Sequence, residues 1–275
     1  MSVTDLIGKV AVVTGASRGV GRRIACRLAR VGISVALIAH SRAALEATKE
    51  EIGAGARTLL IPVDLAVPES FTPVQQRIEA ELGSPSILVN AAGVFGPIDL
   101  VKDTDPAAWI ETIMINSIAP YVTCRAFVTG MVASGWGRII NVTSAAALHK
   151  PGPANSAYAT SKAALNQFTR HLAAELNGTG VTANVIHPGD VKTDMWAYIK
   201  DASGHLGPLA QAYRQWAEWV ESTGGDDPEK AADLVAALMS DDAAGVNGRF
   251  LWIEGGLQDP IPSWDDAGGL EPWRK

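Results

Sequence analysis

The feature that most constrains the fold is an alternation of short apolar runs with stretches of helical pattern. Residues 10–14 form the first run, which is mostly β-branched and ends at a glycine, as is typical of a strand buried on both faces. Similar runs follow at residues 34–39, 58–63, 87–90, 138–142, 181–186 and 249–253, and helical patterns at 42–52, 69–82, 107–133, 154–176 and 228–239. This alternation predicts an α/β fold: one doubly wound parallel sheet of about seven strands with helices on both faces, in a single domain over residues 1–275.

Composition and charge exclude several classes of function. Hydrophobic residues make up 47% of the chain and charged residues 19%, which suits a folded core. The net charge is −6 and no cluster of Lys and Arg occurs, so binding to nucleic acid or to an anionic membrane is not expected. Cys26 and Cys124 lack metal or redox spacing, and the histidines and carboxylates suggest no metal site. Residues 1–9 lack the apolar core of a signal peptide, and no apolar run reaches membrane-spanning length, so we expect a cytoplasmic protein.

Three glycines follow the first predicted strand, at the start of a helical pattern. Gly15, Gly19 and Gly21 permit a tight turn and a close approach of the backbone, and the free N–H groups of the helix attract an anion. In a doubly wound pattern this arrangement predicts a dinucleotide site. A glycine-rich turn without a ligand is the alternative.

Tyr158 and Lys162 lie four residues apart in the predicted helix 154–176, which places them on one helix face. A cation about 4–5 Å from the phenol stabilises the phenolate, so we expect the pKa of Tyr158 to fall by about two to three from its ordinary value near 10. The pair would then act as an acid/base. The alternative is that both side chains lie on a solvated helix face.

Several motifs together resemble those of the short-chain dehydrogenase/reductase family, from about residue 7 to 257. In chain order they are Thr14-Gly15-Ala16-Ser17-Arg18-Gly19-Val20-Gly21 for T-G-x-x-x-G-x-G, Asn90-Ala91-Ala92-Gly93 for the N-A-G segment, Asn116 for the helix asparagine, Asn141-Val142-Thr143-Ser144 for the strand with the serine, Tyr158 and Lys162 for Y-x-x-x-K, Pro188-Gly189-Asp190-Val191-Lys192-Thr193 for P-G-x-V-x-T, and Gly255-Gly256 for the final glycine pair. The resemblance implies a Rossmann-type fold and hydride transfer between a nicotinamide and a carbonyl or alcohol.

The resemblance also implies roles for four catalytic residues. Tyr158 would donate a proton to the substrate oxygen in reduction or accept one in oxidation. Lys162 would lower the pKa of Tyr158 and hold the nicotinamide ribose, and Ser144 would bind the substrate oxygen. Asn116 would organise a water next to Lys162. Thr143 stands beside Ser144, and neighbours on a strand face opposite ways, so one of the two can serve; the alignment favours Ser144.

The expected cofactor is NADP, with NAD possible. No carboxylate ends the second strand: Ala39 stands where NAD-preferring relatives have aspartate, and His40 where many NADP users have arginine. Arg18 is a further cation for the 2′-phosphate. The alternative is that Arg18 and Arg42 are solvated and either cofactor binds; for Asp64, a helix cap competes with an adenine contact. The predicted cofactor contacts are Gly15, Ser17, Arg18, Gly19, Val20, Gly21, His40, Ser41, Arg42, Asp64, Leu65, Asn90, Ala91, Gly93, Tyr158, Lys162, Pro188, Gly189, Val191 and Thr193.

The rest of the chain is variable in the family. Residues 193–225 correspond to a substrate lid, whose Met195, Trp196, Tyr198, Trp216 and Trp219 would line a pocket for an apolar or aromatic carbonyl compound. Alternatively, Trp216 and Trp219 dock a lid helix on the core. Residues 258–275 predict an irregular C-terminal arm. The resemblance implies a homo-oligomer, a dimer or a homotetramer, built from helices 107–133 and 154–176.

The small-molecule substrate is expected to be a carbonyl compound or an alcohol. The leading interpretation is an NADP-dependent oxidoreductase. The alternatives are an NAD-dependent alcohol dehydrogenase on the same site, a non-catalytic NADP-sensing protein, and an isomerase or dehydratase on this scaffold.

Overall fold

A seven-stranded parallel sheet forms the centre of the computed structural model, which describes residues 6–148 and 152–254. The strands are β1 (Val10–Thr14), β2 (Ser34–Ala39), β3 (Thr58–Pro62), β4 (Ile87–Asn90), β5 (Gly137–Val142), β6 (Val181–His187) and β7 (Phe250–Trp252). Their order is β3-β2-β1-β4-β5-β6-β7, and each neighbouring pair is parallel. The predicted doubly wound parallel sheet is therefore confirmed.

The helices lie on both faces of this sheet. They are α1 (Gly19–Arg30), α2 (Arg42–Ile52), α3 (Phe71–Glu81), α4 (Pro106–Ile113), α5 (Ala119–Ser134), α6 (Ser156–Glu175), α7 (Asp194–Ala202), α8 (Gln211–Thr223) and α9 (Pro228–Ala237). Alternate strand residues serve the two faces: Val13 packs with α1 and α9, whereas its neighbour Val12 packs with α3, α5 and α6. Burial on both faces explains why the strands are almost continuously apolar.

The predicted helix 107–133 is interrupted in the structure. A π-helical turn, Met114–Ile118, separates α4 from α5, and Asn116 lies within it. Such turns are frequent at functional sites. The apolar pattern continues across the interruption, so the sequence did not reveal it.

The sheet has a topological switch point at β1, whose neighbours β2 and β4 lie on opposite sides. In such sheets the loops at the carboxyl ends of the two central strands separate and leave a crevice for a ligand. Gly15 follows β1 with a φ of +67°, and a Cβ atom there would lie 2.7 Å from the backbone nitrogen of Ala92. Glycine is therefore required where the loops after β1 and β4 meet.

No helix in residues 6–148 and 152–254 is long and apolar enough to cross a membrane. The predicted arm at residues 258–275 and the glycine pair at 255–256 lie outside the described residues.

Candidate active site

The glycine loop between β1 and α1 forms one wall of the crevice. A Cβ atom on Gly21 would collide with the carbonyl oxygen of Gly15, so the loop folds tightly onto the first turn of α1. Arg18 precedes α1 in an extended conformation, and its side chain does not cap the helix. The N–H groups of the first turn are thus available to an anion. These features fit the pyrophosphate of a dinucleotide.

Helix α6 places Tyr158 and Lys162 on one buried face at the same edge of the sheet. The ammonium nitrogen of Lys162 donates to the carbonyl oxygen of Val142 at 2.9 Å and lies 5.7 Å from the centroid of the Tyr158 ring. The Tyr158 hydroxyl group faces the side chain of Ser144, whose hydrogen bonding opposes the rise in the pKa of the phenol that burial causes. The solvated-face alternative for the tyrosine–lysine pair is therefore wrong.

The two candidate hydroxyl residues after β5 point in different directions. Thr143 is buried, and its hydroxyl donates to the Oδ1 atom of Asn166 at 2.5 Å. Ser144 faces Tyr158, and its Oγ atom also accepts from the backbone nitrogen of Ala146 at 3.1 Å. The structure thus brings Ser144, rather than Thr143, to the tyrosine.

Asn116 reaches the same place from the π-helical turn. Its amide oxygen accepts from the backbone nitrogen of Val94 at 2.9 Å, and its amide nitrogen donates to the carbonyl oxygen of Val94 at 2.8 Å and to Ser161 at 3.0 Å. A Cβ atom on Gly93 would lie 3.3 Å from Asn116 Oδ1 and 3.5 Å from Lys162 Nζ. Gly93, Asn116 and Lys162 therefore form one packed unit.

Burial governs the protonation of both central residues. It raises the pKa of Tyr158 to about 12, with a further rise from the charge of Asp190 and an opposing effect of the hydrogen bond to Ser144. Burial also lowers the pKa of Lys162 to about 8. This direction is opposite to the fall in the pKa of Tyr158 that the tyrosine–lysine spacing predicted, because burial removes water from the phenolate.

Comparison with known proteins agrees with this geometry. The family model described as short chain dehydrogenase matches residues 9–204. The chain belongs to the short-chain dehydrogenase/reductase family. The family resemblance inferred from the motifs is thereby confirmed, and with it the oxidoreductase class.

Individual relatives extend the comparison. The 3-oxoacyl-acyl-carrier-protein reductase FabG of Pseudomonas aeruginosa is 35% identical over 262 residues, which cover 92% of this chain and 98% of the relative. NAD+-bound xylitol dehydrogenase superposes with a TM-score of 0.81 at 26% identity, covering 90% of this chain and 98% of that one. The L-sorbose reductase of Gluconobacter frateurii, complexed with NADPH and L-sorbose, gives a TM-score of 0.79 at 28% identity and covers 93% and 98% of the two chains.

The segment that would contact the adenosine end in this short-chain dehydrogenase/reductase carries no acid after β2. His40 is exposed, and Ser41 caps α2 by accepting from the backbone nitrogen of Ala44 at 3.3 Å. Arg42 pairs with Glu46 at 3.1 Å along the same helix. These side chains lie at the carboxyl edge of the sheet, next to the loop after β1.

Two further predicted contacts are engaged locally. Arg18 pairs with Asp194, the first residue of α7, at 2.8 Å, and both side chains are 72% exposed. The carboxylate of Asp64 accepts from the backbone nitrogen of Ala66 at 2.9 Å, so it caps its own turn. The remaining predicted contacts in the loops of this edge are partly exposed: Ser17, Gly19, Val20, Leu65, Ala91 and Pro188.

The loop after β6 closes the crevice against the glycine loop. Gly189 has a φ of +84°, and a Cβ atom there would lie 2.8 Å from a carboxylate oxygen of Asp226. Val191 forms an isolated antiparallel bridge with Gly225. The methyl group of Thr193 lies 3.5 Å from the Cβ position of Gly19. The two ends of the predicted lid region thus meet next to the glycine loop.

Met195 and the three tryptophans of residues 193–225 fall into three environments. Met195 and Trp216 pack with a cluster that contains Tyr158. Trp196 is buried against α8 and donates from its ring nitrogen to a backbone oxygen there at 3.2 Å. The docking alternative named Trp216 and Trp219. Trp216 also packs against Trp196 and its buried neighbours, whereas Trp219 is 47% exposed, so the alternative is wrong for Trp219.

Asn90 has a role that the motif did not reveal. Its side-chain nitrogen donates to Asn141 at 2.9 Å, and its oxygen accepts from Thr123 at 2.8 Å; Asn141 in turn donates to Thr169 at 2.8 Å. All four residues are buried. The Asn90 side chain therefore joins β4 and β5 to α5 and α6 inside the protein, and only its backbone remains for a cofactor contact.

Sequence reasoning missed Phe95, which stacks on Tyr158 with ring centroids 4.5 Å apart and an interplanar angle of 24°. No motif marks this position. Within residues 6–148 and 152–254 no group of three or more His, Cys, Asp and Glu side chains could hold a metal ion.

Proposed function

We propose that this short-chain dehydrogenase/reductase transfers a hydride between NADP(H) and a carbonyl or alcohol substrate, with Tyr158 as the acid/base. The observation that carries the proposal is the convergence of Ser144, Tyr158, Lys162 and Asn116 at the carboxyl edge of the sheet, beside a glycine loop that fits a pyrophosphate. When bound, the nicotinamide supplies or accepts the hydride.

The protein groups provide the proton and the electrostatic support. Because the pKa of Tyr158 is about 12, its phenol is protonated at neutral pH and donates that proton to the oxygen of a carbonyl substrate during reduction. Ser144 donates a hydrogen bond to the same oxygen while negative charge develops on it. Alcohol oxidation requires the phenolate, which burial disfavours.

Lys162 connects Tyr158 to the interior side of the site. Its ammonium group would hold the ribose hydroxyls of the nicotinamide nucleotide, and a water would carry the replacement proton to it. Asn116 donates both of its side-chain N–H groups within the protein. A water beside Lys162 would therefore receive no hydrogen bond from the Asn116 amide nitrogen. The Asn116 side chain contributes by holding Val94, which follows the Gly93 that packs on Lys162.

Tyr158→Phe tests the acid/base assignment. The variant should bind NADPH with an unchanged Kd and lose turnover, because the ring remains while the proton donor is gone. Fluorescence titration with NADPH and an absorbance assay with a panel of ketones and aldehydes measure both quantities. Near-normal turnover by this variant would refute the assignment, and wild-type binding without turnover of any substrate would favour the NADP-sensing alternative.

NADP is proposed over NAD because no acid stands at the end of β2 and Arg18 lies beside the glycine loop. Its pair with Asp194 is exposed and contributes only about 0–1 kcal/mol, so a phosphate can displace the carboxylate. Arg18→Ala should lower kcat/KM for NADPH about tenfold or more, through loss of a charged hydrogen bond, and leave NADH unaffected. A wild-type enzyme that prefers NADH would instead support the NAD-dependent alternative.

The proposed substrates are apolar or aromatic carbonyl compounds. The support is the surface near Tyr158, where Phe95, Met195, Tyr213 and Trp216 pack together. We also propose that residues 193–225 act as the lid and that the enzyme works in the cytoplasm. A panel of cyclic, aromatic and polyhydroxylated ketones tests the substrate class, and a preference for the polyhydroxylated ketones would contradict it.

A homo-oligomer, either a dimer or a tetramer, is proposed through α4, α5 and α6. Exposed apolar side chains on the first two helices support it: Ile110 is 56% and Tyr121 48% exposed, and Tyr121 packs edge-on against Phe168 of α6. Tyr121→Lys should dissociate the oligomer in a sedimentation experiment. An unchanged molecular mass would exclude this face.

A further inference from the structure

Residues 93–96, in the loop that follows β4, contact Asn116, Tyr158 and Lys162 of the candidate site. Gly93 packs on Lys162 and Asn116, and both backbone groups of the next residue, Val94, bond to Asn116. The carbonyl oxygen of Gly96 accepts from the hydroxyl group of Tyr198 in α7 at 3.0 Å. The backbone of this segment is therefore held on both sides of Phe95.

Phe95 uses this fixed backbone to cover the ring of Tyr158. Phe95 is 8% exposed, and its ring lies nearly parallel to that of Tyr158 at a centroid distance of 4.5 Å. Tyr213 of α8 stands edge-on to Phe95, at 6.2 Å and 90°. Both geometries are attractive arrangements for aromatic rings. The ring of Phe95 is therefore held between the tyrosine and the lid region.

We propose that Phe95 is a positioning residue, which holds the phenol of Tyr158 in the orientation that meets Ser144. The inference rests on the proposed function, because it concerns the geometry of the proton donor. The Tyr158 hydroxyl lies at the end of a long side chain that can turn about two bonds. A rotation of roughly 10° displaces the hydroxyl by about 1 Å, and a misplacement of that size can cost about 100-fold in rate.

The stacking by Phe95 accounts for the orientation of the Tyr158 ring plane, which the other motif residues do not fix. Lys162 donates to Val142 and lies 5.7 Å from the centre of the Tyr158 ring, so its ammonium group does not fix the plane of that ring. The contact with Ser144 acts on the hydroxyl group and leaves the plane of the ring undetermined. Phe95 covers a face of that ring and so supplies the missing constraint.

Three variants separate positioning from ordinary packing. Phe95→Leu keeps an apolar side chain but removes the stacked ring, and kcat should fall about five- to tenfold, as expected for the loss of one aromatic pair, with the KM for NADPH unchanged. Phe95→Tyr keeps the ring and should restore kcat. The matched control is Phe71→Leu, which removes another buried ring, stacked edge-on against Phe127 at 5.8 Å in the core. It should lower the melting temperature similarly and leave kcat unchanged. If Phe95→Leu does not fold, Phe95→Met replaces it.

A spectroscopic readout tests the position of Tyr158 without turnover. Protein labelled with 3-fluorotyrosine contains four tyrosines, and the fluorine signal of Tyr158 is assigned by its loss in Tyr158→Phe. Because loss of the Phe95 ring alone shifts this signal, the readout is its response to Ser144→Ala. That substitution should move the Tyr158 signal in a protein with Phe95 and leave it in place in Phe95→Leu, where the phenol no longer meets Ser144. An equal response in both backgrounds, or a lost response with wild-type kcat, would overturn the inference. If the wild-type protein turns over no carbonyl compound, the proposed function fails, whereas the fluorine signal still decides whether Phe95 positions Tyr158.

Discussion

Replacing Lys162 with methionine is expected to stabilise the fold while it abolishes turnover. Lys162 is 4% exposed, and its ammonium group donates to one backbone oxygen, that of Val142, at 2.9 Å. Methionine has a similar length and no charge, so it fills the same space without the desolvation cost. The same substitution removes the cation that the proposed mechanism requires beside Tyr158.

The magnitude follows from the lowered pKa of the buried ammonium group. The pKa of Lys162 falls from 10.5 to about 8, which corresponds to about 3 kcal/mol of destabilisation of the folded state at pH 7. Between these two values the unfolded chain binds more protons, so the Lys162 contribution improves stability as pH rises through this window. The lost hydrogen bond to Val142 offsets about 1–2 kcal/mol. Lys162→Met should therefore be more stable by about 1–2 kcal/mol at pH 7.

Urea unfolding followed by tryptophan fluorescence at pH 7, 8 and 9 measures this effect, at one protein concentration throughout. The advantage of Lys162→Met should shrink by about 1 kcal/mol between pH 7 and pH 9. Other groups, such as Cys124, whose pKa burial raises to about 12, titrate in both proteins and cancel in the difference. Lys102→Met, at a side chain that is 75% exposed, serves as the control and should show no pH-dependent difference. A pH-independent difference for Lys162→Met, or a variant less stable than the wild type at pH 7, would refute the reasoning.

Two further predictions follow from the site. Ser144→Ala should lower kcat about 100-fold. Thr143→Val should keep kcat and lose about 1–3 kcal/mol of unfolding free energy, because it leaves Asn166 without a buried hydrogen bond. Kinetics and urea unfolding of both variants check this, and equal effects on kcat would contradict it. Gly21→Ala should abolish NADPH binding in a fluorescence titration, since its Cβ atom meets the carbonyl oxygen of Gly15; a wild-type Kd would show that the loop tolerates the change.

Much of the fold was predictable because its strands are buried on both faces. The strand predicted at 87–90 and the helix predicted at 42–52 appear in the structure with the predicted boundaries. The π-helical turn at Met114–Ile118 was not predictable, since its residues continue the apolar pattern of the helices on either side. Asn116, inside this turn, bonds to Val94 and Ser161, which are distant in sequence. The periodicity of apolar residues carries no information about such contacts.

The candidate site was predictable where one strand end or one helix face sets the position. Tyr158 and Lys162 share a helix face, and Ser144 follows the neighbouring strand, so the topology alone brings them together. Tertiary contacts decided the rest. Phe95 has no local signal, and the side chain of Asn90 lies in the interior because Asn141 is its cross-strand neighbour.

The pKa shifts of Tyr158 and Lys162 depend both on the motif residues and on residues such as Phe95 that only tertiary contacts place beside them. A charge calculation on the pair alone predicts an acidic phenol, whereas the structure gives a less acidic one, because water is excluded from both side chains. Part of that exclusion comes from Phe95, which packs on Tyr158, and from the lid-region residues around them. Because none of the family motifs includes Phe95, the proton affinity of Tyr158 depends in part on a residue that lies outside them.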